Sequence, residues 1–206
     1  MSAGVELWLV RHGETEWSLS GAHTSRTDIP LTERGRERAA DLKTYLEDTK
    51  FAAVFTSPMQ RARQTADLAG YGDVAKIDEG LREWDYGIYE GKTTKEIRET
   101  EPGWNVWVNE IRGGETAEQV GVRADGVIAR ALAAAAAAGS PNGSPAKVAL
   151  FAHAHILRIL AARWVGLEAR SGQIFALGTG SVSVLGWERE THVVEHWNRD
   201  PEEGSK

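Results

Sequence analysis

The sequence predicts an α/β fold: a three-layer, mainly parallel sheet with helices on both faces and an antiparallel hairpin at the C-terminus. Two apolar runs, Val5 to Val10 and Val148 to Ala152, have the pattern of buried strands. A histidine lies just after each run: His12 follows Val10 after one residue, Arg11, and His153 follows Ala152 directly. Because parallel strands deliver their carboxyl ends to one edge of a sheet, the two imidazoles are expected to meet there. At 206 residues, residues 1–206 are most economically one domain with a full core.

The composition and charge are those of a globular protein, and they disfavour a membrane or a nucleic acid as its partner. Hydrophobic and charged fractions of 41% and 26% are ordinary for a globular protein. No apolar run reaches the length of a membrane span, and residues 1–10 lack a basic start followed by an apolar core, so we expect a cytoplasmic protein without a membrane partner. A net charge of −6 without a basic run disfavours a nucleic-acid partner. Cysteine is absent, which excludes disulfides and thiolate metal sites.

The end of the first strand, Arg11-His12-Gly13, is the candidate reactive point. An imidazole is a competent nucleophile near neutral pH when one ring nitrogen is held as a donor and the other is free. Arg11 offers a permanent charge and a planar fork suited to phosphate, and Gly13 lets the backbone turn sharply and approach a ligand. The tripeptide alone also fits an ordinary solvated strand end. Whether it is a reactive site therefore depends on the segments that follow.

The first half of the chain then alternates scaffold with further polar candidates. Trp17 to Thr27 is predicted to be a polar, irregular loop. Thr32 is the expected N-cap of a helix over Glu33–Asp48, and Phe51 to Thr56 is the expected second strand. Ser57, Pro58 and Gln60 fit an N-cap, a first helical position and a capping box. Arg61 would then lie in the first helical turn, where a bound anion would offset its unfavourable position.

The middle of the chain supplies a carboxylate and a tryptophan-rich segment. After a short strand over Val74 to Ile77, the segment Leu81 to Gly91 is predicted to be a loop; its Glu83 has bulky neighbours that exclude water and suit a proton donor. Lys92 to Gly114 is expected to contain a helix over Thr94–Glu101. Trp104 and Trp107 follow it, either as core residues or as a cap on the pocket.

The last third is expected to bring the second histidine to the site and to close the sheet. A capping box at Thr116 opens a long helix that Gly139 ends. Ser140 to Ala146 is a predicted surface turn. After the strand that ends at His153, a helix runs to about Val165, with His155 in its first turn. The closing hairpin is expected over Ser181–Glu188 and His192–Trp197, and Asp200 to Lys206 as a frayed tail.

The sequence resembles the histidine phosphatase superfamily, the phosphoglycerate mutase-like group. Four blocks carry the resemblance, in order: Arg11-His12-Gly13-Glu14-Thr15, Thr56-Ser57-Pro58-Met59-Gln60-Arg61-Ala62, Leu81-Arg82-Glu83-Trp84-Asp85-Tyr86-Gly87 and Phe151-Ala152-His153. Four ordered blocks are more specific than any one of them. The resemblance implies a phosphohistidine on His12, with Arg11, Arg61 and His153 holding the phosphoryl group and Glu83 as proton donor. It implies no cofactor and no metal.

The resemblance also indicates substrate contacts. Ser18, His23 and Thr24 occupy family positions for them, and Tyr86 is expected to line the pocket. Arg158, one helical turn beyond Ala154, is expected either to reach a second phosphate or the sugar end of a substrate, or to form a surface salt bridge. Ala154 stands where the family usually has glycine. A positive φ there would cost on the order of 1 kcal/mol, whereas a negative φ would cost nothing and place a methyl group near the phosphate.

We therefore expect a metal-independent phosphatase that hydrolyses small phosphomonoesters. The blocks over 14–18 and 81–87 look most like the sedoheptulose-bisphosphatase-like and broad-range sugar phosphatase branch, which implies a sugar phosphate or bisphosphate. The alternatives are a cofactor-dependent phosphoglycerate mutase, which would need a longer lid to keep water from the phosphohistidine, and a non-catalytic phosphate-binding protein. The sequence does not determine the oligomeric state, and a homodimer is one option.

Overall fold

The computed structural model describes residues 4–139 and 143–201, and within them a six-stranded sheet has the order β3-β2-β4-β1-β5-β6. Strands β3, β2, β4 and β1 are parallel, and β5 and β6 pair antiparallel at one edge. The mainly parallel sheet and the C-terminal hairpin are therefore confirmed. The strands are β1 (Val5–Arg11), β2 (Ala53–Thr56), β3 (Lys76–Ile77), β4 (Ala146–Ala152), β5 (Val182–Glu188) and β6 (Thr191–Arg199).

Helices cover both faces of the sheet, which confirms the three layers. Leu7 and Leu9 of β1 pack in the core formed with α5 and α6, whereas Val10 packs in a second core with α2 and α3. This division follows from the alternation of side chains along a strand. The helices are α1 (Glu16–Ser20), α2 (Glu33–Leu46), α3 (Gln60–Leu68), α4 (Thr94–Thr100), α5 (Ala117–Ala138) and α6 (Ala154–Trp164). No helix of the described ranges is both long and apolar enough to cross a membrane.

Local capping signals correctly predict the starts of the two longest helices, α2 and α5. The Thr32 side chain accepts a hydrogen bond from the Gly35 N–H, and Thr116 forms a complete capping box with Gln119. The predicted irregular loop over 17–27 is wrong in its first part, because α1 begins at Glu16 with Thr15 as its N-cap. A five-residue helix with no buried residue has no apolar period to reveal it.

The predicted start of α3 at Ser57 and Pro58 is wrong. The helix begins at Gln60, and its N-cap Met59 makes no side-chain capping bond. The Gln60 N–H donates to Asp28 Oδ1 over 2.7 Å, so a residue far along the chain satisfies this end of the helix. The Ser57 hydroxyl is thereby left for another partner, described below. Arg61 still lies in the first helical turn, as predicted.

Several smaller boundaries also differ. Strand β3 covers only Lys76–Ile77, and the predicted loop over 81–91 contains a 3₁₀ turn at Gly87–Tyr89, after another at Glu79–Leu81. Trp104 and Trp107 lie in turns rather than a helix, and both are buried. The predicted turn over 140–146 and tail over 200–206 lie partly outside the described residues.

Candidate active site

The sheet brings the two predicted histidines together. Strands β1 and β4 are parallel neighbours in which Arg11 pairs with Ala152, so His12 and His153 leave the sheet side by side. Their ring centroids are 5.1 Å apart, at an interplanar angle of 63°. The expectation that two strand ends would deliver two imidazoles to one edge is confirmed.

His12 is held in a single tautomer. Its Nδ1 lies 2.7 Å from the Gly13 carbonyl oxygen, which can only accept, so Nδ1 carries the proton and Nε2 keeps its lone pair. Burial lowers the pKa of His12 well below its ordinary value, and the charges of Arg11 and Arg61 lower it further. The ring is therefore a neutral imidazole with one unprotonated nitrogen.

The backbone around His12 is fastened from three sides. The His12 N–H donates to the Ala152 carbonyl oxygen, the Gly13 N–H donates to Thr65 Oγ1, and the Gly180 N–H donates to the His12 carbonyl oxygen, each over 3.0 Å. The close approach predicted for Gly13 is to the protein itself, since a Cβ on Gly13 would lie 2.4 Å from the carbonyl oxygen of Gly35 in α2.

His153 and Arg61 form a buried pair next to His12. Arg61 Nε donates to His153 Nδ1 over 3.1 Å, so the His153 proton is on Nε2, which lies 2.7 Å from Ser57 Oγ and donates to it. The Ser57 Oγ also accepts from the Met59 N–H over 3.3 Å, so this hydroxyl joins His153 to the turn before α3. Burial, followed by the charge of Arg61, lowers the pKa of His153 well below its ordinary value.

The rest of the Arg61 guanidinium binds the backbone of the loop before α2. Its terminal nitrogens donate to the carbonyl oxygens of Thr24, Ser25 and Thr27 over 3.1–3.3 Å. Arg61 is fully buried and does not line the pocket. The structure thus brings Arg61 to the histidines, but as a support behind them.

Arg11 lies on the wall of the pocket with a donor to spare. One terminal nitrogen donates to the Leu177 carbonyl oxygen, while the buried Nε has no hydrogen-bond partner among the described residues. An unpartnered buried N–H is costly unless a ligand accepts from it. The position of Arg11 therefore suits an anion.

Glu83 is held at the N-terminus of α6. Its Oε1 accepts from the backbone N–H groups of Trp84 and Ile156, both over 2.9 Å, and its Oε2 accepts from the N–H of His155 over 3.0 Å. His153, the N-cap of α6, makes no side-chain capping bond, so the carboxylate of a distant loop satisfies this helix end. Glu83 is thus oriented by three backbone donors.

A cavity of about 160 Å³ contains the predicted chemistry. A larger cavity of about 470 Å³ beside Trp187 contains none of the predicted site residues, so we assign the site to the smaller one. Its lining comprises Arg11, His12, Thr15, Trp17, Ser18, Gly21, Ala22, His23, Thr24, Glu83, Tyr86, Ala154 and His155.

The predicted substrate contacts Ser18, His23 and Thr24 line this cavity, but their side chains are partly engaged. The Ser18 hydroxyl completes the capping box of α1, and Thr24 Oγ1 donates to the Ala22 carbonyl oxygen over 2.9 Å. His23 Nε2 lies 3.3 Å from Thr94 Oγ1. Burial lowers the pKa of His23 to about 4, so it lines the pocket as a neutral ring.

His155 is a lining residue that the sequence analysis did not assign to the site. Its Nδ1 lies 2.6 Å from the hydroxyl of Tyr86, which lines the pocket as predicted. Burial raises the pKa of Tyr86 and lowers that of His155 well below its ordinary value, so the tyrosine donates to a neutral ring. The His155 Nε2–H then remains as a donor. Its position two residues after His153, in the first helical turn, was the available signal.

Of the remaining two predicted substrate-binding residues, Ala154 lines the cavity and Arg158 does not. Arg158 instead donates to the carbonyl oxygens of Gly172 and Gln173, each over 3.1 Å, and lies 4.6 Å over the ring of Trp107. Those carbonyls replace the surface salt bridge considered from sequence. Ala154 begins α6 and is not among the residues with positive φ, so it costs no strain and places a methyl group on the pocket wall.

Within residues 4–139 and 143–201, no group of three or more histidine, aspartate and glutamate side chains is arranged to hold a metal ion. The polar groups of the site are imidazoles, guanidinium groups and one carboxylate, a set suited to binding and transferring an anionic group.

Comparisons with known proteins agree with this geometry. The sequence model of the histidine phosphatase superfamily (branch 1) matches residues 7–200. The chain is 40% identical over 184 residues to an acid phosphatase of Mycobacterium tuberculosis, covering 88% of this chain and 86% of that protein.

Two further proteins extend the comparison. The chain is 40% identical over 182 residues to sedoheptulose 1,7-bisphosphatase of Saccharomyces cerevisiae, covering 77% of this chain and 67% of that protein. The structure of the alpha-ribazole phosphatase of Shigella flexneri superposes with a TM-score of 0.80 at 27% identity, covering 95% of this chain and 97% of that one. The chain therefore belongs to branch 1 of the histidine phosphatase superfamily, and its activity is that of a phosphatase.

Proposed function

We propose that the protein hydrolyses small phosphomonoesters, sugar phosphates or bisphosphates, through a phosphohistidine intermediate on His12. The observation that carries this proposal is the tautomer of His12. Its Nδ1–H is bound by the Gly13 carbonyl oxygen, which leaves the lone pair of Nε2 for attack on phosphorus.

The proposed reaction has two steps. In the first, His12 Nε2 attacks the phosphorus atom in line, the ester P–O bond breaks, and Glu83 gives its proton to the departing alkoxide. In the second, Glu83 takes a proton from water, the water oxygen attacks phosphorus, and the P–N bond breaks to restore His12. Arg11 and the buried pair of Arg61 and His153 would stabilise the negative charge of the phosphoryl oxygens.

The pocket favours hydrolysis of an ester with an uncharged alcohol over the phosphoglycerate mutase alternative. A phosphoglycerate carries a carboxylate as well as a phosphate, yet Arg11 is the one Lys or Arg side chain on the pocket wall among the described residues. The other polar groups of the wall, such as neutral His23, suit hydroxyl groups. A non-catalytic binding protein would have no use for a nucleophile in a fixed tautomer.

The name of one relative, a sedoheptulose 1,7-bisphosphatase, supports a phosphorylated sugar as the substrate class, and that of the other, an acid phosphatase, supports ester hydrolysis without naming a substrate. A bisphosphate makes an additional demand on the pocket. Its distal phosphate would need a cation, and Arg158 could supply one only by leaving the carbonyl oxygens of Gly172 and Gln173. A monophosphate needs no such movement. One domain over residues 1–206 and a cytoplasmic location stay predictions from the sequence, and a homodimer stays one option for the oligomeric state.

The proposed function is tested by phosphate release from sugar monophosphates, sugar bisphosphates and 3-phosphoglycerate in excess EDTA. The wild type is expected to release phosphate, and His12→Ala is expected to lose activity by at least about 10⁴-fold, because no covalent intermediate can form. Acid quenching during turnover should trap a phosphohistidine in the wild type only.

Two further arms make the experiment discriminating. Arg158→Met is expected to lower kcat/KM for bisphosphates and to leave that for monophosphates unchanged, if the arginine turns to a distal phosphate. Interconversion of phosphoglycerates without net release would establish a mutase instead. Binding of phosphate by a folded protein with no turnover of any ester would overturn the proposal in favour of a binding protein.

A further inference from the structure

We propose that Arg123 and Glu115 are positioning residues for Glu83, an inference that rests on the proposed role of Glu83 as acid and base. Neither residue lines the pocket that contains His12. Both bind the backbone of segment 80–85, which carries Glu83.

Arg123, on α5, donates hydrogen bonds from every N–H group of its guanidinium to segment 80–85 or to Glu115. Its Nη1 donates to the carbonyl oxygens of Gly80 over 2.7 Å and Arg82 over 2.8 Å, and its Nη2 donates to that of Glu83 over 3.4 Å. The remaining two N–H groups bind Glu115 side by side, Nε to Oε1 over 2.9 Å and Nη2 to Oε2 over 2.8 Å. A guanidinium has five N–H groups, and all five are accounted for.

Glu115 holds the residues that follow Glu83. Its Oε2 accepts from the Asp85 N–H over 3.0 Å, its carbonyl oxygen accepts from Trp84 Nε1 over 2.8 Å, and its own N–H donates to the Asp85 carbonyl oxygen over 3.0 Å. Burial alone would raise the pKa of Glu115, but the hydrogen bonds and charge of Arg123 outweigh it and the net shift is downwards. The Asp85 N–H and the charge of Arg26 contribute to the same lowering, which favours the carboxylate form that Arg123 binds.

These contacts place the Glu83 backbone between two fixed points. On one side, Arg123 and Glu115 fasten the backbone before and after it. On the other, its carboxylate accepts from the N–H groups of His155 and Ile156 at the start of α6. Proton transfer requires the donor within hydrogen-bond reach of the reacting oxygen, and a misplacement of about 1 Å is costly. The ion pair therefore sets the distance between Glu83 and the leaving group without touching the substrate.

The test compares two esters that differ in their need for a proton donor. An alkyl phosphate must be protonated as its alcohol departs, whereas p-nitrophenyl phosphate releases a stable phenolate. The parameter kcat/KM covers the steps up to departure of the alcohol, so the ratio of the two kcat/KM values reports the proton transfer to the leaving group. Glu83→Gln is expected to lower kcat/KM for the alkyl ester by roughly 100-fold or more and that for the aryl ester by much less.

For Arg123→Met we expect the same pattern at smaller size: a loss of roughly 10- to 100-fold in kcat/KM for the alkyl ester and less than about 3-fold for the aryl ester. Arg123→Lys keeps the charge but cannot form the fork to Glu115 while binding three carbonyl oxygens, so an intermediate loss is expected. The matched control is Arg163→Met. Arg163, on α6, forms a bidentate pair with Asp125, which like Arg123 is on α5, but it makes no hydrogen bond to segment 80–85. This variant should leave the ratio unchanged.

The outcomes separate the two proposals. An unchanged ratio in Glu83→Gln would overturn the role of Glu83, and with it the proposed function of that residue. A changed ratio in Glu83→Gln with equal losses on both esters in the two Arg123 variants would leave the proposed function standing and show that the ion pair is merely structural. Thermal unfolding of each variant measures how much of any loss is due to folding.

Discussion

At the scale of single residues, the site is organised by which nitrogen of each ring carries a proton. His12 donates from Nδ1 to a backbone carbonyl, whereas His153 accepts at Nδ1 from Arg61 and donates from Nε2 to Ser57. The two neighbouring imidazoles therefore have opposite tautomers. The tautomer of His12 follows from the Gly13 carbonyl oxygen, which can only accept, and that of His153 from the Arg61 guanidinium, which can only donate.

Ser57→Ala tests this arrangement. Without the hydroxyl, the buried Nε2–H of His153 has no acceptor, and we expect the ring to lose its orientation. An unsatisfied buried donor costs about 1–3 kcal/mol of stability. Because His153 adjoins the reacting histidine, kcat/KM is expected to fall by roughly 10- to 100-fold, measured as phosphate release.

The matched control is Ser183→Ala, another fully buried serine, whose hydroxyl accepts from the Asn198 N–H in the sheet. It is expected to lose stability but to keep wild-type kcat/KM. If Ser57→Ala also kept wild-type kcat/KM, the orientation of His153 by Ser57 would have no catalytic importance.

At the scale of elements, the loop after β1 packs directly on α2. A Cβ on Gly35 would lie 2.2 Å from the carbonyl oxygen of Glu14, and one on Gly13 would lie 2.4 Å from that of Gly35. Both contacts are with backbone, which cannot turn aside as a side chain can. The first turn of α2 thus determines how the chain leaves the strand that ends at His12.

Gly35→Ala is therefore expected to destabilise the protein, although alanine is the better helix former by about 1 kcal/mol. Overpacking against backbone costs typically about 1–3 kcal/mol, and the displaced loop should also lower activity. The control is Gly126→Ala in α5, where the only atom that the added Cβ would meet is Nη1 at the end of the Arg130 side chain, at 3.2 Å. That variant should be neutral or stabilised by up to about 1 kcal/mol in urea unfolding. Equal stabilities of the two variants would contradict the packing argument.

Features encoded over a few residues could be predicted from the sequence, and features that join distant segments could not. The strands ending at His12 and His153, the Thr32 cap and the Thr116 capping box each depend on local spacing, and the structure has them. The Ser57 hydroxyl, in contrast, binds His153, 96 positions away, as well as the nearby Met59 N–H. No local pattern distinguishes that contact from an ordinary N-cap.

The same distinction applies to the site residues. His155 and Arg123 looked like ordinary helical residues, because their importance depends on Tyr86 and on the carbonyl oxygens of segment 80–85. Arg158 was expected at a phosphate or in a salt bridge, and it binds carbonyl oxygens after α6 instead. Sequence spacing identified which residues share an edge of the sheet but not what each side chain contacts.

At the scale of the whole molecule, folding buries four histidines together in neutral form: His12, His23, His153 and His155. Burial is the largest cause of the lowered pKa in each of them. In the unfolded chain these histidines have pKa values near 6.5. Between pH 6.5 and the lowered folded values, the unfolded chain binds more protons than the folded one.

The free energy of unfolding should therefore fall as the pH falls below 6.5. Each neutral histidine contributes a slope of at most about 1.4 kcal/mol per pH unit. For His23, whose folded pKa is about 4, this contribution is fully present above pH 6.5 and is lost between pH 6.5 and about 4. Urea unfolding at pH 7, 6 and 5 measures the slope. His23→Gln should reduce this slope by the contribution of one histidine. The control is His196→Gln, at an exposed position, which should leave the slope as in the wild type. An unchanged slope in His23→Gln would contradict the linkage.

The pairing of β1 with β4 also determines which backbone amides should exchange most slowly with solvent. These two strands lie in the middle of the sheet, so their amide hydrogens should exchange with solvent only in the rarest opening events. Tyr86, His23 and Thr24 lie outside the helices and strands, so their amide hydrogens should exchange earlier than those of β1 and β4. We therefore expect His12, which directly follows β1, to keep its position through the opening events that expose the surrounding loops, because it is attached to the slowest-exchanging part of the molecule.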